Sequence, residues 1–305
     1  MPSVTLAESA KLAQDDLVAG VIEHIITVNK MFEMLPFDGV EGNAVAYNRE
    51  NVLGDVESSG VGSTVTAKAA ATFTNVTSAL TKILGDAEVD GLIQATRSGE
   101  TDQTALQIGS KAKSAGRKYQ DMLINGTGAS NQFNGLINLC VAGQQAATGT
   151  NGGALSFTFL DETADLVLDK DGAVDYYTMH SRTMRSFKAL LRALGGASIN
   201  EVITLPSGAK VMAYNDIPIF RNDWIPVNQV KGGGSAQTTV FAGTFDDGSR
   251  THGISGLTAA KMAGIQVVDV GESETKDERI WRVKWYCGLA LYSEKGLACA
   301  NGITN

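Results

Sequence analysis

Residues 98–139, SGETDQTALQIGSKAKSAGRKYQDMLINGTGASNQFNGLINL, constrain this chain more than any other stretch. Ala105, Ile108, Ala112, Ala115, Tyr119 and Met122 recur at alternating steps of three and four residues, which lines them along one face of a helix. The positions between them, among them Gln107, Lys111, Lys113, Ser114, Arg117, Lys118, Gln120 and Asp121, keep the rest of the circumference polar. Thr101 and Asp102 stand where an N-cap belongs, and Asn125-Gly126-Thr127-Gly128 supplies a left-handed stop. A helix over residues 101–124 is a rod of about 36 Å at about 1.5 Å per residue. Three of the six stripe positions are alanine, and Gly109 and Gly116 flank them, so another element must approach the rod closely.

The rest of the chain is organised around this rod. Residues 5–34 open with Thr5 as a cap and Glu8 three residues on, then Leu12, Leu17, Val21, Ile25 and Val28 at helical spacing, with Gly20 as a point of kinking. Within residues 41–73, the segments 44–49 and 64–69 alternate weakly on either side of the turn-rich 54–62, the pattern of a long hairpin. Its legs hold mostly Ala, Thr, Ser and short charged residues. Such legs bury no core of their own, and long excursions of this kind in compact domains are usually functional or rest on a partner. Residues 74–93 continue as strand.

After the rod, residues 142–153 are rich in Gly, Gln, Ala and Thr and read as a linker and domain boundary. Residues 155–264 read as an α/β unit. One helix face carries Leu160, Ala164, Val167 and Leu168; an Asp171-Gly172 turn leads to a strand over 174–179. Ser181 is expected to cap a second helix with Met184, Phe187, Leu190, Leu191 and Leu194 inward and Gly195-Gly196 as its stop. Pro206-Ser207-Gly208 turns a hairpin, and residues 231–235, KGGGS, read as a flexible loop before a strand over 238–242. From residue 265 the chain returns to sheet, where Trp281, Val283, Trp285 and Cys287 alternate with Arg282, Lys284 and Tyr286.

Chemistry is sparse. His24, His180 and His252 lie far apart with no H-x-x-H or H-E-x-x-H spacing, so no metal site is expected, and His180 reads as structural. No G-x-S-x-G elbow or phosphate-binding P-loop occurs. Gly126-Thr127-Gly128-Ala129-Ser130-Asn131 imitates the start of a dinucleotide fingerprint, but ends a helix where that motif begins one. The pairs Asp246-Asp247 and Asp277-Glu278 lie in polar turns. No catalytic residue, cofactor or metal is therefore expected. Cys140, Cys287 and Cys299 lack C-x-x-C spacing and read as reduced, buried thiols. With 305 residues, 43% of them hydrophobic, and no run of eighteen apolar residues, the chain can build two compact domains and has no candidate membrane span. A net charge of −8 argues against a basic nucleic-acid-gripping surface.

The run from Ala115-Gly116-Arg117-Lys118-Tyr119-Gln120-Asp121 through Met122-Leu123-Ile124-Asn125-Gly126-Thr127-Gly128, then Gln132-Phe133-Asn134-Gly135-Leu136-Ile137, carries a resemblance. It is similar to the spine helix and its exit in major capsid (head) proteins of tailed double-stranded DNA bacteriophages, which share the Hong Kong 97 fold. That resemblance implies an α+β fold with an N-arm at 1–40, an E-loop at 41–73, and a first P-domain part at 74–141 containing the spine helix 101–124. It further implies an inserted A-domain at 142–264, a second P-domain part at 265–294 and a tail at 295–305 returning to the A-domain. The implied function is structural: hexamers and pentamers of the chain enclose double-stranded DNA in an icosahedral virion assembled in the host cytoplasm. The implied partners are other copies, a portal, and separate scaffold or decoration proteins, with no membrane and no tight DNA binding. Since Met1 stands directly before the N-arm, a separate scaffold, or none, is expected. Arg49, Glu57 and Lys68 are the expected inter-subunit contacts. Part of that family forms an isopeptide bond from an E-loop lysine; Lys68 is the one lysine on this loop, but no matching Asn or Glu can be placed, and it reads as a surface or interface charge. The alternatives are an encapsulin-type compartment shell and a hydrolase, the latter disfavoured by the coreless hairpin.

Overall fold

The computed structural model describes residues 30–92, 95, 103–169, 172–193 and 202–304. The helix expected over 5–34 lies outside this set up to Asn29, as do Thr101, Asp102, Asp171, Leu194 and the Gly195-Gly196 stop. After a 3-10 turn at Lys30–Glu33 come β1 (Phe37–Val40), β2 (Ala44–Val52), β3 (Thr72–Ala79), β4 (Thr81–Asp90), α1 (Gln103–Asn125) and α2 (Leu136–Leu139). Then follow β5 (Gly153–Ala154), α3 (Phe157–Leu168), β6 (Tyr176–Met179), α4 (Ser181–Ala193), β7 (Val202–Thr204), β8 (Lys210–Tyr214) and β9 (Ile217–Arg221). The last strands are β10 (Gln237–Gly243), β11 (Ile254–Ala259), β12 (Gln266–Glu272), β13 (Glu278–Leu291) and β14 (Leu297–Thr304). No helix among the described residues is long and apolar enough to cross a membrane.

The long helix is continuous and lies on the first sheet, ordered β1-β11-β13-β12 with β4 on the free flank of β13. β13 is central because its alternation gives it one apolar face: Val283, Trp285 and Cys287 are buried, Arg282 is exposed. Against that face and β4 pack Ile108, Ala112, Ala115, Tyr119 and Met122 of α1, in one core with Ile83, Ala87 and Trp285. The alanines let the helix approach the sheet. Tyr119 fills the widest gap, with its ring centroid 4.5 Å from Trp285, 5.4 Å from Phe133 and 5.6 Å from Phe32. Each such large side chain contributes about 1.5–3 kcal/mol by leaving water. Across the sheet, Arg282 pairs with Asp86 at 2.7 Å, matching the Arg282↔Asp86 register of β13 and β4.

The helix ends at Asn125, and its exit is set by two glycines rather than by a left-handed residue at the stop itself. Positive φ occurs later, at Gly128, Ser130 and Asn131. Gly126 is required by close approach: a Cβ there would lie 2.2 Å from the Phe133 carbonyl oxygen, and Gly135 donates to the Gly126 carbonyl at 2.8 Å. Gly126→Ala is therefore expected to cost about 1–3 kcal/mol in denaturant unfolding. Gly109→Ala, with open space around its Cβ, should be neutral or stabilise by up to about 1 kcal/mol.

The second sheet runs β5-β14-β10-β6-β9-β8-β7, and its strands β6, β10 and most of β14 are buried on both faces. Alternate residues divide between two cores: Tyr176, Phe220, Phe241 and Cys299 join the core under α1, while Tyr177, Ile219, Val240 and Ala300 face α3 and α4. The Ser156 hydroxyl caps α3 by accepting from Phe159 N at 3.2 Å. At α4 the cap is His180, whose Nδ1 accepts from Arg182 N at 3.0 Å and whose carbonyl accepts from Met184 N at 3.0 Å. Ser181, the expected cap, is the first helical residue instead, its N–H donating to Asp223 at 3.2 Å.

Four further expectations change. The second hairpin leg is β3, at Thr72–Ala79, not 64–69. The segment 142–153 is no free linker: Ala146 N donates to the Cys299 carbonyl at 2.8 Å, and β5 pairs with β14. The KGGGS loop is packed rather than flexible in character. Its glycines let it pass over Asn151, which accepts from Gly233 N at 2.9 Å, while Lys231 Nζ donates to Thr148 at 2.7 Å. Finally, β11 already belongs to the first sheet, so the chain leaves the second sheet by Ile254 rather than at 264.

All three cysteines are free and buried. Cys140 and Cys299 touch, sulfur to sulfur at 2.8 Å. Contact with Cys140 and burial push the Cys299 thiol well above its ordinary range, and burial alone raises Cys287. The thiolate is the reactive form. Native protein at neutral pH should thus show negligible reaction with an aromatic disulfide reagent, and all three thiols should react on unfolding; rapid native labelling would contradict the packing.

Candidate assembly surfaces

The most prominent surface feature is the β2–β3 hairpin. Its antiparallel register runs from Ala44↔Ala79 to Val52↔Thr72, and Asp55 N still reaches the Ala69 carbonyl at 2.9 Å beyond it. From residue 50 to residue 70 every residue is exposed except Ala67, which is half-buried. A hairpin leg of about nine residues spans about 30 Å. Among the described residues, exposed large apolar side chains gather here: Val52, Leu53, Val56, Val61, Val65 and Phe73 are six of fourteen. Val56 is 90% exposed. An apolar concentration of this kind on an arm without a core is the mark of a surface completed by another molecule.

The base of the arm is held firmly. Tyr47 OH donates to the Leu291 carbonyl at 2.6 Å, and its ring meets Tyr292 edge-on at 5.2 Å. Arg49 donates through Nε to the Tyr292 carbonyl at 2.9 Å, through Nη2 to the Leu291 carbonyl, and through Nη1 to Glu294 at 2.8 Å. Tyr292 OH in turn donates to Asp38 at 3.0 Å, and Asp38 pairs with Arg250 at 3.1 Å. Burial, with Asp38 adding to it, pushes the Tyr292 phenol up, so it stays a donor. Val45, Tyr47 and Leu80 pack on a small core of Val40, Leu257, Ala290 and Tyr292.

The three residues singled out in the sequence thus fall in different settings. Arg49 is used within its own chain, as the bolt that ties β2 to the end of β13. Glu57 lies near the tip, accepting from Thr66 N at 2.7 Å and from the Thr66 hydroxyl. Those bonds, the hydroxyl first, hold its carboxyl below the usual range, so it carries a fixed negative charge. Lys68 is exposed on the opposite leg. Tyr47, Tyr292, Asp38 and Arg250 were not anticipated as an anchor. Only Tyr47, an aromatic in an otherwise small-residue leg, gave a signal.

Among the described residues no nucleophile-base constellation emerges, and no group of three or more His, Cys, Asp or Glu gathers for a metal. His180 is held below its ordinary value chiefly by burial, and its ring serves the α4 cap.

A long helix on a sheet that carries an anchored arm, with a second sheet inserted between its parts, defines the Hong Kong 97 shell fold. Solved structures with this architecture match over nearly the whole chain. The holo-SrpI encapsulin complex from Synechococcus elongatus PCC 7942 has a TM-score of 0.71 at 18% identity, covering 90% of this chain and 86% of that one. The capsid of the native GTA particle has a TM-score of 0.66 at 14% identity, covering 90% of each chain. Mycobacterium phage Bobi gives 0.60 at 13% identity, covering 98% of each. No family model and no curated relative matches the sequence.

Proposed function

We propose that this chain is the structural subunit of a closed icosahedral shell, the major capsid protein of a tailed bacteriophage, which assembles through hexamers and pentamers around double-stranded DNA. The observation that carries this reading is the anchored arm with its exposed apolar tip, which is stable in one chain only if another chain covers it. In this reading β2–β3 is the E-loop, α1 with the first sheet is the P-domain, and the second sheet is the A-domain. The N-arm, read at 1–40, lends its last strand β1 to the P-domain sheet. Glu57 and Lys68 are the charges that meet a neighbour, and Arg49 keeps the arm aimed at it. The role is mechanical rather than enzymatic: many weak contacts, repeated by symmetry, close the lattice. A portal completes the particle, with a separate scaffold or decoration protein or with none, and the particle is assembled in the host cytoplasm and needs no membrane.

The likeness to an encapsulin supports a second reading, a compartment shell around protein cargo. Electron microscopy of the purified assembly separates them. A shell filled with DNA and bearing a tail vertex supports the capsid; a small shell with protein cargo supports the compartment; failure to form any shell refutes both.

Containment by closure also makes a binding prediction. Net charge is −8, and a protein that gripped several phosphates would show steep salt dependence. Isolated subunits should show negligible affinity for duplex DNA in fluorescence anisotropy at physiological salt.

A further inference from the structure

Cys140 and Cys299 meet where two parts of the fold join. Cys140 closes α2, its N–H donating to the Leu136 carbonyl at 3.1 Å, and Cys299 lies within β14 opposite Phe241 of β10. Their sulfurs stand 2.8 Å apart, closer than two unbonded sulfur atoms come to rest. A disulfide holds its sulfurs at about 2.05 Å, so closing one here asks for a movement of roughly 0.8 Å. The backbones beside the pair are already clasped: Gln145 bridges to Cys299, and the Ala146 N–H donates to the Cys299 carbonyl at 2.8 Å. Neither segment has to be drawn in. The pair can also be reached. Cys299 lines a cleft of about 330 Å³ together with Gln145, Lys231, Gln237 and Asn301, and Cys140 does not line it. With Cys299 only 3% exposed, whatever reaches its sulfur must be small, and a reagent built on an aromatic ring is held off.

We propose that Cys140 and Cys299 form an oxidation site, at which hydrogen peroxide closes a disulfide that clasps the exit of α1 to the second sheet. The Cys299 thiolate attacks one peroxide oxygen, the O–O bond breaks, and the departing hydroxide takes up the thiol's proton and leaves as water. Cys299 is then a sulfenic acid, oxidised by two electrons. The Cys140 sulfur next attacks the Cys299 sulfur, the S–S bond forms, and the sulfenic hydroxyl leaves with the Cys140 proton as a second water. Two thiols and one peroxide thus give one disulfide and two waters. Contact with Cys140 and burial keep the Cys299 thiolate scarce, with the Lys231 ammonium acting against them, so closure is slow. The bond joins residues 159 positions apart, with α3, α4 and every strand from β5 to β13 between them, so it removes much of the freedom of the unfolded chain. This inference does not depend on the shell reading, since both thiols belong to one chain.

Long exposure of the reduced, full-length native chain to hydrogen peroxide tests it. Thiols counted after unfolding should fall from three to one, the intact mass should drop by two hydrogen atoms, and peptide mapping should find Cys140 linked to Cys299 with Cys287 still free. Dithiothreitol should restore all three thiols. The closed chain should melt about 5–10 °C above the reduced one. Cys287→Ala should still close. In Cys140→Ala the resolving thiol is gone, so dimedone should trap a sulfenic acid on Cys299, whereas Cys299→Ala should trap none on Cys140. Three thiols retained after exposure, a link through Cys287, or a link between two chains overturns the proposal. Oxygen added to Cys299 of the unsubstituted chain without a link to Cys140 overturns it as well, because the two sulfurs would then not be within reach. A disulfide that leaves the midpoint unchanged or lowers it overturns the clasp.

Discussion

Deleting residues 54–62 is expected to leave a folded subunit that forms no shells. The deleted segment contains Val56 and Val61, whose side chains are 90% and 111% exposed, so nothing in the chain's own core loses a partner. The anchor at Tyr47 and Arg49 is untouched, and the remaining connection from Leu53 to Thr72 can still close. Halving such a loop changes its closure entropy by only about 0.6 kcal/mol. Circular dichroism and the thermal midpoint should match those of the parent chain. Assembly should fail because the loss recurs in every subunit of a lattice held by many weak contacts. Size-exclusion chromatography and electron microscopy read the result directly; normal shells from the deletion would refute the arm's role.

The second large effect is Tyr119→Asp, which should prevent folding altogether. Tyr119 is fully buried, within ring distance of Phe32, Phe37, Phe133 and Trp285, at the point where α1, the first sheet and the α1 exit meet. Truncating a buried aromatic to alanine costs about 3–5 kcal/mol. An aspartate adds the cost of a charge with no cationic partner, several kcal/mol more. Together these approach the whole stability of a typical domain, about 5–15 kcal/mol. Tyr119→Phe is the control. It gives up only the long 3.4 Å bond from the hydroxyl to the Gly288 carbonyl and should fold, with a loss below about 1 kcal/mol. Soluble, cooperatively unfolding Tyr119→Asp protein would mean that α1 does not pack as described.

The elements that were legible in the sequence are those whose period is locked to burial. The stripe of α1 and the alternation of β13 each have one face committed to the core, so a shift of one residue would turn Tyr119 or Trp285 to water. The hairpin arm was legible as an arm, but its second leg was misplaced. Residues 64–69 and 72–79 both alternate weakly, and neither has an apolar face to fix its register. What chooses β3 is remote: Tyr47 and Arg49, bonded to residues 291–294, set where β2 lies, and β3 follows by pairing. The same distance effect applies to Arg49. Its own-chain bonds to the carbonyls of Leu291 and Tyr292 span 242 and 243 positions, beyond what its place on an exposed leg indicates.

Helix and strand, cap and turn, and the want of any catalytic spacing follow from neighbours in the chain, because period, backbone torsion and local hydrogen bonding act over a few residues. Which groups meet is decided by long-range topology. Cys140 and Cys299 touch across 159 positions because β14 enters the second sheet between β5 and β10. A cationic cleft of about 920 Å³ is of the same kind. A net charge of −8 describes the chain as a whole, whereas the cleft gathers its cations from five separate places in the sequence, residues 30, 113 and 117, 188, 210 and 221. Summing charges along a chain discards position, and electrostatic attraction falls with distance through space. Only the fold, which sets α1 facing α4 and the β8–β9 hairpin across one cleft, brings those six side chains around one space.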